Sequence, residues 1–202
     1  MKPVVLITSC AYRLDQNEQC RATWLMQWGH LIEYKFVFGQ GHTQKYDDEI
    51  IFPIDDSYQN LPAKIQASHD WAVRQGYDFI LKTDCDVYVH VPRLLNSGFE
   101  KYPYSGNIFW PSAAIPFALG SAYWLDRGAS EILVGAKLPS YPAKGGDDVW
   151  VGRVMHANGI QCHHEKRYYV GKSPDWTADI SFHVPDMNMS MMEIHNRMAQ
   201  CA

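Results

Sequence analysis

The sequence lacks both a strong excess of charge and any apolar run long enough to cross a membrane. Its 202 residues carry 18 lysines and arginines against 22 aspartates and glutamates, a formal net charge of −4, which gives no whole-molecule attraction to nucleic acid. No apolar stretch approaches the roughly 20 residues of a membrane helix. The apolar run at residues 4–8 is too short for a signal peptide. We therefore expect a soluble, cytoplasmic protein.

Paired cysteines are also missing. The chain holds five cysteines, an odd number, and no Cys-x-x-Cys pair; they are Cys10, Cys20, Cys85, Cys162 and Cys201. Disulfide-stapled domains and structural zinc sites need paired or closely spaced cysteines. We expect free thiols in a reducing compartment.

Several common catalytic motifs are absent as well. No glycine-rich loop of the P-loop or dinucleotide type occurs, since Gly39-Gln-Gly41 lacks the third glycine and the following helix. There is no Gly-x-Ser-x-Gly sequence and no Cys/His nucleophile pattern. These absences give no support to a P-loop, dinucleotide-binding or serine-nucleophile enzyme.

What is present is an alternation of strands and helices. With 47% hydrophobic residues, the chain can bury the core of one domain. Apolar runs predict strands at residues 4–8, 34–38 and 78–83, and helical spacing predicts a helix over 61–75. We predict an α/β fold with a single domain and no linker.

Within this pattern, an apolar strand ends in two carboxylates. Asp84 and Asp86 are separated by one residue, and in extended chain the side chains at i and i+2 point to the same side. Such a pair can bind one hard divalent cation through its oxygens. The carboxyl ends of strands are also where ligands bind in open α/β sheets. The alternative is a solvated Asp-x-Asp turn, because aspartate is a common turn residue.

A second acidic pair, Asp147-Asp148, lies at the predicted start of a later helix behind a loop rich in proline and glycine. Acidic residues are favoured at helix N-termini by capping and by the helix dipole. The functional alternative is a carboxylate that acts as a general base at the edge of a cleft.

Histidines and cations supply further candidates. Neutral imidazole binds divalent metals, and the candidate ligands are His163, His164 and His183. Of these, His183 follows an apolar alternation, so a strand end could direct it into a site. Guanidinium and ammonium groups suit diphosphate recognition, although ordinary solvated charge is the alternative for each; the candidates are Arg13, Arg21, Lys64 and Lys82.

Six sequence blocks, taken in order, resemble glycosyltransferase family 31, which includes β-1,3-galactosyl- and N-acetylglucosaminyltransferases and Fringe proteins. The family patterns are Ile-Arg-x-Thr-Trp, Phe-x-x-Gly, Asp-Ser-Tyr-x-Asn-Leu-x-x-Lys, Lys-x-Asp-Asp-Asp-Val-Phe-Val, Gly-x-x-Tyr-x-Leu and Glu-Asp-Val-x-x-Gly. The matching blocks here are Arg21-Ala-Thr-Trp24, Lys35-Phe-Val-Phe-Gly39, Asp56-Ser-Tyr-Gln-Asn-Leu61 with Lys64, Lys82-Thr-Asp84-Cys85-Asp86-Val-Tyr-Val89, Gly120-Ser-Ala-Tyr-Trp-Leu125, and Asp147-Asp148-Val149 with Gly152.

This resemblance implies a GT-A, Rossmann-like fold with a mixed central sheet. Residues 1–90 would form the nucleotide-sugar half and residues 91–202 the acceptor half. It implies an enzyme that transfers a hexose from a nucleotide sugar, with a UDP-sugar favoured, in an inverting, β-1,3-type reaction. Because the membrane anchor and paired cysteines of the family's Golgi members are missing, we expect a soluble enzyme of bacterial or viral type.

The resemblance also implies the roles of individual residues. Asp148 would be the catalytic base, and Mn²⁺ (or Mg²⁺) would be bound by Asp84, Asp86 and His183. The residues expected to contact the donor are Thr8, Arg13, Arg21, Asp56, Lys64, Asp84 and Cys85.

Two departures from the family leave alternatives open. Cys85 replaces the central aspartate of the Asp-Asp-Asp motif, and the region after Gly159 matches no family block. The acceptor is expected to be a glycan. The same chemistry on a hydroxylated base of phage-type DNA is an alternative, through a basic strip of Lys166, Arg167 and Lys172. A non-catalytic sugar-binding module is another.

Overall fold

A mixed seven-stranded sheet lies at the centre of the computed structural model, which describes residues 1–110, 115–140 and 146–200. The strands are, in chain order, β1 Pro3–Thr8, β2 Glu33–Phe38, β3 Glu49–Ile51, β4 Phe79–Asp84, β5 Val87–Val89, β6 Tyr104–Phe109, β7 Phe117–Asp126, β8 His163–His164, β9 Tyr168–Tyr169 and β10 Ser181–His183. The large sheet has the order β3-β2-β1-β4-β7-β6-β8, and a smaller sheet has the order β5-β10-β9. The predicted α/β class with a mixed central sheet is confirmed.

The helices connect these strands. They are α1 Leu14–Cys20, α2 Met26–Trp28, α3 Leu61–Arg74, α4 Val91–Leu95, α5 Arg127–Gly135, α6 Asp147–Ala157, α7 Val184–Met187 and α8 Met191–Gln200. A π-helical turn, Arg21–Leu25, follows α1 directly. Shorter 3₁₀ turns occupy Gly29–Leu31, Tyr58–Asn60 and Phe99–Lys101.

Strand β1 is the centre of the parallel half of the large sheet. It pairs in parallel with β2 on one side and with β4 on the other. Val4, Val5 and Ile7 are fully buried, as expected for a parallel strand covered on both faces. In this register Thr8 lies opposite Asp84. The two strands therefore end together, and the loops that follow them open at the same edge of the sheet.

Strand β7 runs antiparallel to β4 and makes the sheet mixed. The pairing runs from Phe79 opposite Asp126 to Thr83 opposite Ala122. Gly120, two residues before Ala122 on β7, therefore lies beside the carboxyl end of β4. Asp126 then caps α5, as its side chain accepts a hydrogen bond from the Ala129 N–H at 2.7 Å.

Two strands of the smaller sheet, β9 and β10, come from the region after Gly159 that matched no family block. Strand β10 pairs antiparallel with β5, and His183 lies opposite Val87. Because β5 begins one residue after Asp86, this pairing brings the C-terminal part of the chain to the Asp-x-Asp segment. Met191 and Ile194 of α8 are buried in the same apolar cluster as Trp24 and Tyr88, so this helix packs on the core that also contains residues of β1 and β4.

Four cysteines within the described residues are free thiols, as predicted: Cys10, Cys20, Cys85 and Cys162. Cys201 lies outside those residues. Across the same three ranges, we find no helix with both the length and the apolar character that a membrane crossing requires.

Candidate active site

A cavity of about 330 Å³ opens at the carboxyl ends of β1 and β4. Eight of the predicted site residues line it: Thr8, Arg13, Asp56, Lys64, Asp84, Cys85, Asp86 and His183. They come from both ends of the chain, from the loops after β1 and β4, from the start of α3 and from the end of β10. The tertiary structure therefore brings most of the predicted donor and metal residues together.

Asp86 and His183 face one another in this cavity. The Nε2 atom of His183 lies 4.0 Å from Oδ1 of Asp86. On its other side, the Nδ1 atom of His183 lies 2.7 Å from Oδ2 of Asp186. A proton on Nδ1 that is donated to Asp186 leaves the Nε2 lone pair directed toward Asp86, an arrangement typical of metal-binding histidines.

The Oδ1 atom of Asp86 is buried and has no hydrogen-bond partner among the described residues. Its Oδ2 atom accepts a hydrogen bond from Nη1 of Arg13 at 2.6 Å. A buried carboxylate oxygen without a partner is costly unless a cation binds it. The described residues contain no cluster of three or more His, Cys, Asp or Glu side chains placed to hold a metal ion. Asp86 and His183 therefore offer one carboxylate oxygen and one imidazole nitrogen that could bind a divalent cation.

The carboxylate of Asp84 forms an ion pair with Lys82. The Nζ atom of Lys82 lies 2.8 Å from Oδ1 of Asp84 and 3.5 Å from Oδ2 of Asp147, and it donates to the Gly120 carbonyl at 2.5 Å. Burial and the charge of Asp147 raise the pKa of Asp84, while Lys82 opposes that shift. Burial alone would lower the pKa of Lys82, but Asp147 and Asp84 outweigh it and raise the pKa. Lys82 is therefore a permanent cation under the cavity.

Asp148 lies in the first turn of α6 and is fixed by two backbone amides. Its Oδ2 accepts from the Gly120 N–H at 3.1 Å, and its Oδ1 accepts from the Val149 N–H at 2.8 Å. The N-cap residue of α6 is Gly146, which has no side chain to cap the helix, so neither acidic residue is the N-cap. Burial, and next the charge of Asp147, raise the pKa of Asp148 above that of an ordinary aspartate.

Tyr58 lies between the cavity and Asp148, and the sequence analysis gave it no role of its own. It lines the cavity and is 68% exposed. A Cβ added at Gly146 would meet the Tyr58 hydroxyl at 3.1 Å and Oδ1 of Asp148 at 2.9 Å, so both groups approach the same point. The first turn of α6 therefore lies next to the cavity rim formed by Tyr58.

Two of the cationic candidates, Lys64 and Arg13, line the cavity, and they differ in exposure and in how many of their N–H groups are already bonded. Lys64 is 3% exposed; its ammonium is bonded to Asp56 and, at 2.7 Å, to the Ser9 carbonyl. It therefore joins α3 to the end of β1. Arg13, by contrast, is about half exposed and contacts Asp86 through one nitrogen, which leaves the rest of its guanidinium available at the cavity mouth.

Arg21 lies outside the cavity, although it was expected to contact the donor. Its Nη2 binds Asp48 at 2.7 Å and Glu49 at 3.1 Å. The guanidinium also lies over the rings of Phe36 and Tyr46. The π-helical turn that carries Arg21 faces the β2–β3 edge, where the partly exposed Asp48, the buried Glu49 and two aromatic rings satisfy its guanidinium.

Cys85 contributes a neutral thiol to the cavity wall. It is 1% exposed, and its Sγ donates to Oε1 of Gln16 at 3.3 Å. Burial raises the pKa of Cys85 to about 12, so the thiol stays protonated near neutral pH. A protonated thiol is a poor metal ligand.

The other histidine candidates lie on a different strand. His163 and His164 form β8, at the edge of the large sheet. The His163 ring stacks on Tyr102 with 3.5 Å between the centroids, and His164 Nδ1 accepts from the Ile108 N–H at 3.1 Å. Neither residue lines the cavity.

Comparison with known protein families matches part of the chain. A family model described as Galactosyltransferase matches residues 15–104. The UDP-GalNAc:beta-1,3-N-acetylgalactosaminyltransferase 2 of Mus musculus is 28% identical over 158 residues, which cover 66% of this chain and 31% of that protein. The Homo sapiens protein of the same name is 29% identical over 138 residues, which cover 56% and 27%. The chain thus spans about a third of the length of these relatives.

Solved structures show a related fold at low sequence identity. A glycosyltransferase involved in the glycosylation of the major capsid of PBCV-1 gives a TM-score of 0.60 at 11% identity, covering 99% of this chain and 100% of that one. A variant of Drosophila β1,4-galactosyltransferase 7 in complex with manganese, UDP-Gal and xylobiose gives 0.58 at 12% identity, covering 91% and 71%. The family model and these relatives show that the chain is similar to galactosyltransferases of the family 31 type, and the solved structures show that it has the GT-A fold.

Proposed function

We propose that this domain transfers a hexose from a UDP-sugar to a hydroxyl group of a glycan, with inversion at the anomeric carbon and with a divalent metal ion. The observation that carries the proposal is the buried Oδ1 of Asp86, which has no hydrogen-bond partner among the described residues and faces Nε2 of His183 inside the cavity. The related β-1,3-N-acetylgalactosaminyltransferases are named for a UDP-linked donor, which supports the same class of donor here.

Asp86 and His183 would hold the metal, and Asp84 would join them directly or through water. When bound, Mn²⁺ or Mg²⁺ would neutralise the charge that builds on the departing diphosphate. The manganese and UDP-Gal of the Drosophila complex support this choice. Among the protein's own groups, Arg13 offers its free guanidinium nitrogens to the same diphosphate at the cavity mouth.

Asp148 would take the proton from the acceptor hydroxyl. Both of its oxygens accept one backbone N–H bond, and a carboxylate oxygen has a further lone pair for the hydroxyl. The acceptor oxygen forms a bond to the anomeric carbon while the bond from that carbon to the diphosphate oxygen breaks. The proton goes to Asp148, and the electron pair leaves with UDP. The raised pKa of Asp148 suits a general base.

The test is UDP release from a panel of UDP-sugars with a mixture of simple glycosides, with and without Mn²⁺. We expect release that requires the metal in the unaltered chain. Asp148→Asn should retain UDP binding, measured by calorimetry, and lose at least about 100-fold in kcat, the lower range for removal of a general base. Unchanged turnover in Asp148→Asn would refute the assigned base. Tight UDP binding with no release for any sugar would instead favour the non-catalytic module.

A hydroxylated DNA base as acceptor has less support. Of the three residues in the basic strip, Arg167 is held by Glu165, with Nη2 and Oε2 2.5 Å apart. A paired guanidinium contributes little to phosphate binding. Together with the net charge of −4, this favours the glycan.

A further inference from the structure

We propose that Lys82 is a positioning residue that couples the donor side of the site to the catalytic base. This role rests on the function proposed above, and in it Lys82 binds neither the metal nor the diphosphate. Its ammonium sets the position of Asp84 and, through Asp147 and the Gly120 peptide group, the position of Asp148.

The first contact runs from Lys82 to the Asp-x-Asp segment. Lys82 and Asp84 are two residues apart on β4, so their side chains emerge on the same face of the strand. The 2.8 Å contact between Nζ and Oδ1 of Asp84 fixes that carboxylate from below the cavity.

The second contact runs from Lys82 to α6 and β7. Nζ lies 3.5 Å from Oδ2 of Asp147, the first residue of α6, and donates to the Gly120 carbonyl at 2.5 Å. The N–H of that same Gly120 donates to Oδ2 of Asp148. Gly120 thus binds Lys82 through its carbonyl and the base through its amide.

The crowding around Gly120 shows how closely these groups approach. A Cβ at this position would lie 3.4 Å from Nζ of Lys82 and 3.4 Å from Oδ2 of Asp148. Lys82 and Asp148 therefore meet on the same side of β7, with a residue between them that has no side chain.

The ammonium of Lys82 is surrounded by oxygens of the protein itself. Its Nζ donates to the Gly120 carbonyl and lies 2.8 Å from Oδ1 of Asp84, and it forms a longer ion pair, at 3.5 Å, with Oδ2 of Asp147. The side chain is 2% exposed, and Lys82 does not line the cavity. A buried cation needs such partners. Here they are the carboxylates of Asp84 and Asp147 and the carbonyl of Gly120, whose N–H binds Asp148.

Two-dimensional NMR of backbone amides tests the coupling without any acceptor. Saturating Mg²⁺ with UDP should shift the Cys85 amide, which lies between Asp84 and Asp86, and also the Gly120 amide, which reports on Asp148. In Lys82→Met, the Cys85 response should persist and the Gly120 response should be lost. Asp147→Asn leaves the contact with Asp84 in place and should reduce only the Gly120 response.

The matched control is Lys35→Met. Lys35 is a lysine of β2 whose ammonium binds the Asp47 carbonyl outside the cavity, and its substitution should leave both responses intact. Lys82→Arg keeps the charge and should restore part of the Gly120 response. If Lys82→Met fails to fold, Asp147→Asn and Lys82→Arg carry the same comparison.

The outcomes separate this inference from the proposed function. A Gly120 response in Lys82→Met equal to that of the unaltered chain would overturn the coupling, as would a response of Cys85 alone in the unaltered chain. No response of either amide in the unaltered chain would instead contradict the UDP and metal site. In turnover, we expect Lys82→Met to lower kcat for transfer about 100-fold, with the KM for the UDP-sugar little changed. A fall in kcat accompanied by a rise of similar size in the KM for the UDP-sugar would indicate that Lys82 has only a structural role.

Discussion

His183 Nε2 lies 4.0 Å from Oδ1 of Asp86 because β10 pairs antiparallel with β5. One residue comes from the first half of the chain and the other from near its C-terminus. The pairing of two three-residue strands therefore decides which histidine reaches the proposed metal site.

We predict that His183 and Asp86, but not His163, determine metal affinity. His183→Ala and Asp86→Asn remove the two facing ligands and should each weaken Mn²⁺ binding by at least about tenfold, since changes even in groups that only support a ligand cost 10–100-fold. Calorimetric titration with Mn²⁺ in the presence of UDP measures this.

His163→Ala is the matched control, because the His163 ring stacks on Tyr102 outside the cavity. Its affinity for Mn²⁺ should equal that of the unaltered chain. A loss with His163→Ala and none with His183→Ala would reverse the assignment of the ligand.

We predict that activity is lost on the acid side at a pH above the pKa of an ordinary aspartate. A base must be unprotonated to act, and burial together with Asp147 raises the pKa of Asp148, while Lys82 opposes that shift. Activity is therefore present above the raised pKa and disappears as the pH falls through it. The measurement is kcat against pH at saturating Mn²⁺ and donor. A midpoint at or below the ordinary aspartate value would contradict this environment for the base.

We predict that the two arginines first assigned to the diphosphate separate into different roles. Arg13→Ala should raise the KM for the UDP-sugar, because its guanidinium lies at the cavity mouth. Arg21→Ala should leave that KM unchanged but lower the free energy of unfolding by about 1–3 kcal/mol, since it leaves Asp48 and the buried Glu49 with a lost partner. Urea denaturation and donor kinetics on both variants distinguish them. A raised KM with Arg21→Ala would return that residue to the donor site.

Much of the fold was predictable, because its signals are local. Continuous apolar runs marked β1 and β4 as buried parallel strands, and the spacing of Asp84 and Asp86 placed two carboxylates at a strand end. Other features were not predictable from any window of sequence. Lys82 was one of four cationic candidates for a diphosphate, with ordinary solvated charge as the alternative, and the approach of β7 and α6 instead places its ammonium against the Gly120 carbonyl and Asp147.

The position of Arg21 was also not predictable from the sequence. Its motif matched the family, yet the orientation of one π-helical turn directs it to Asp48 and Glu49. Which acid an arginine meets depends on how helices pack against the sheet, and that packing is a sum over many weak contacts that no short motif contains.

The sequence by itself therefore determined the α/β class, the ordered glycosyltransferase motifs and the Asp84–Asp86 pair, because periodicity and i, i+2 geometry act within a few residues. Only the tertiary structure decided that His183 joins Asp86, that Arg21 leaves the site and that Lys82 connects Asp84 with the helix of Asp148. The physical reason is that strand pairing between remote segments and the burial of a cation are settled by the packing of the whole chain, where each buried charge must find its partner.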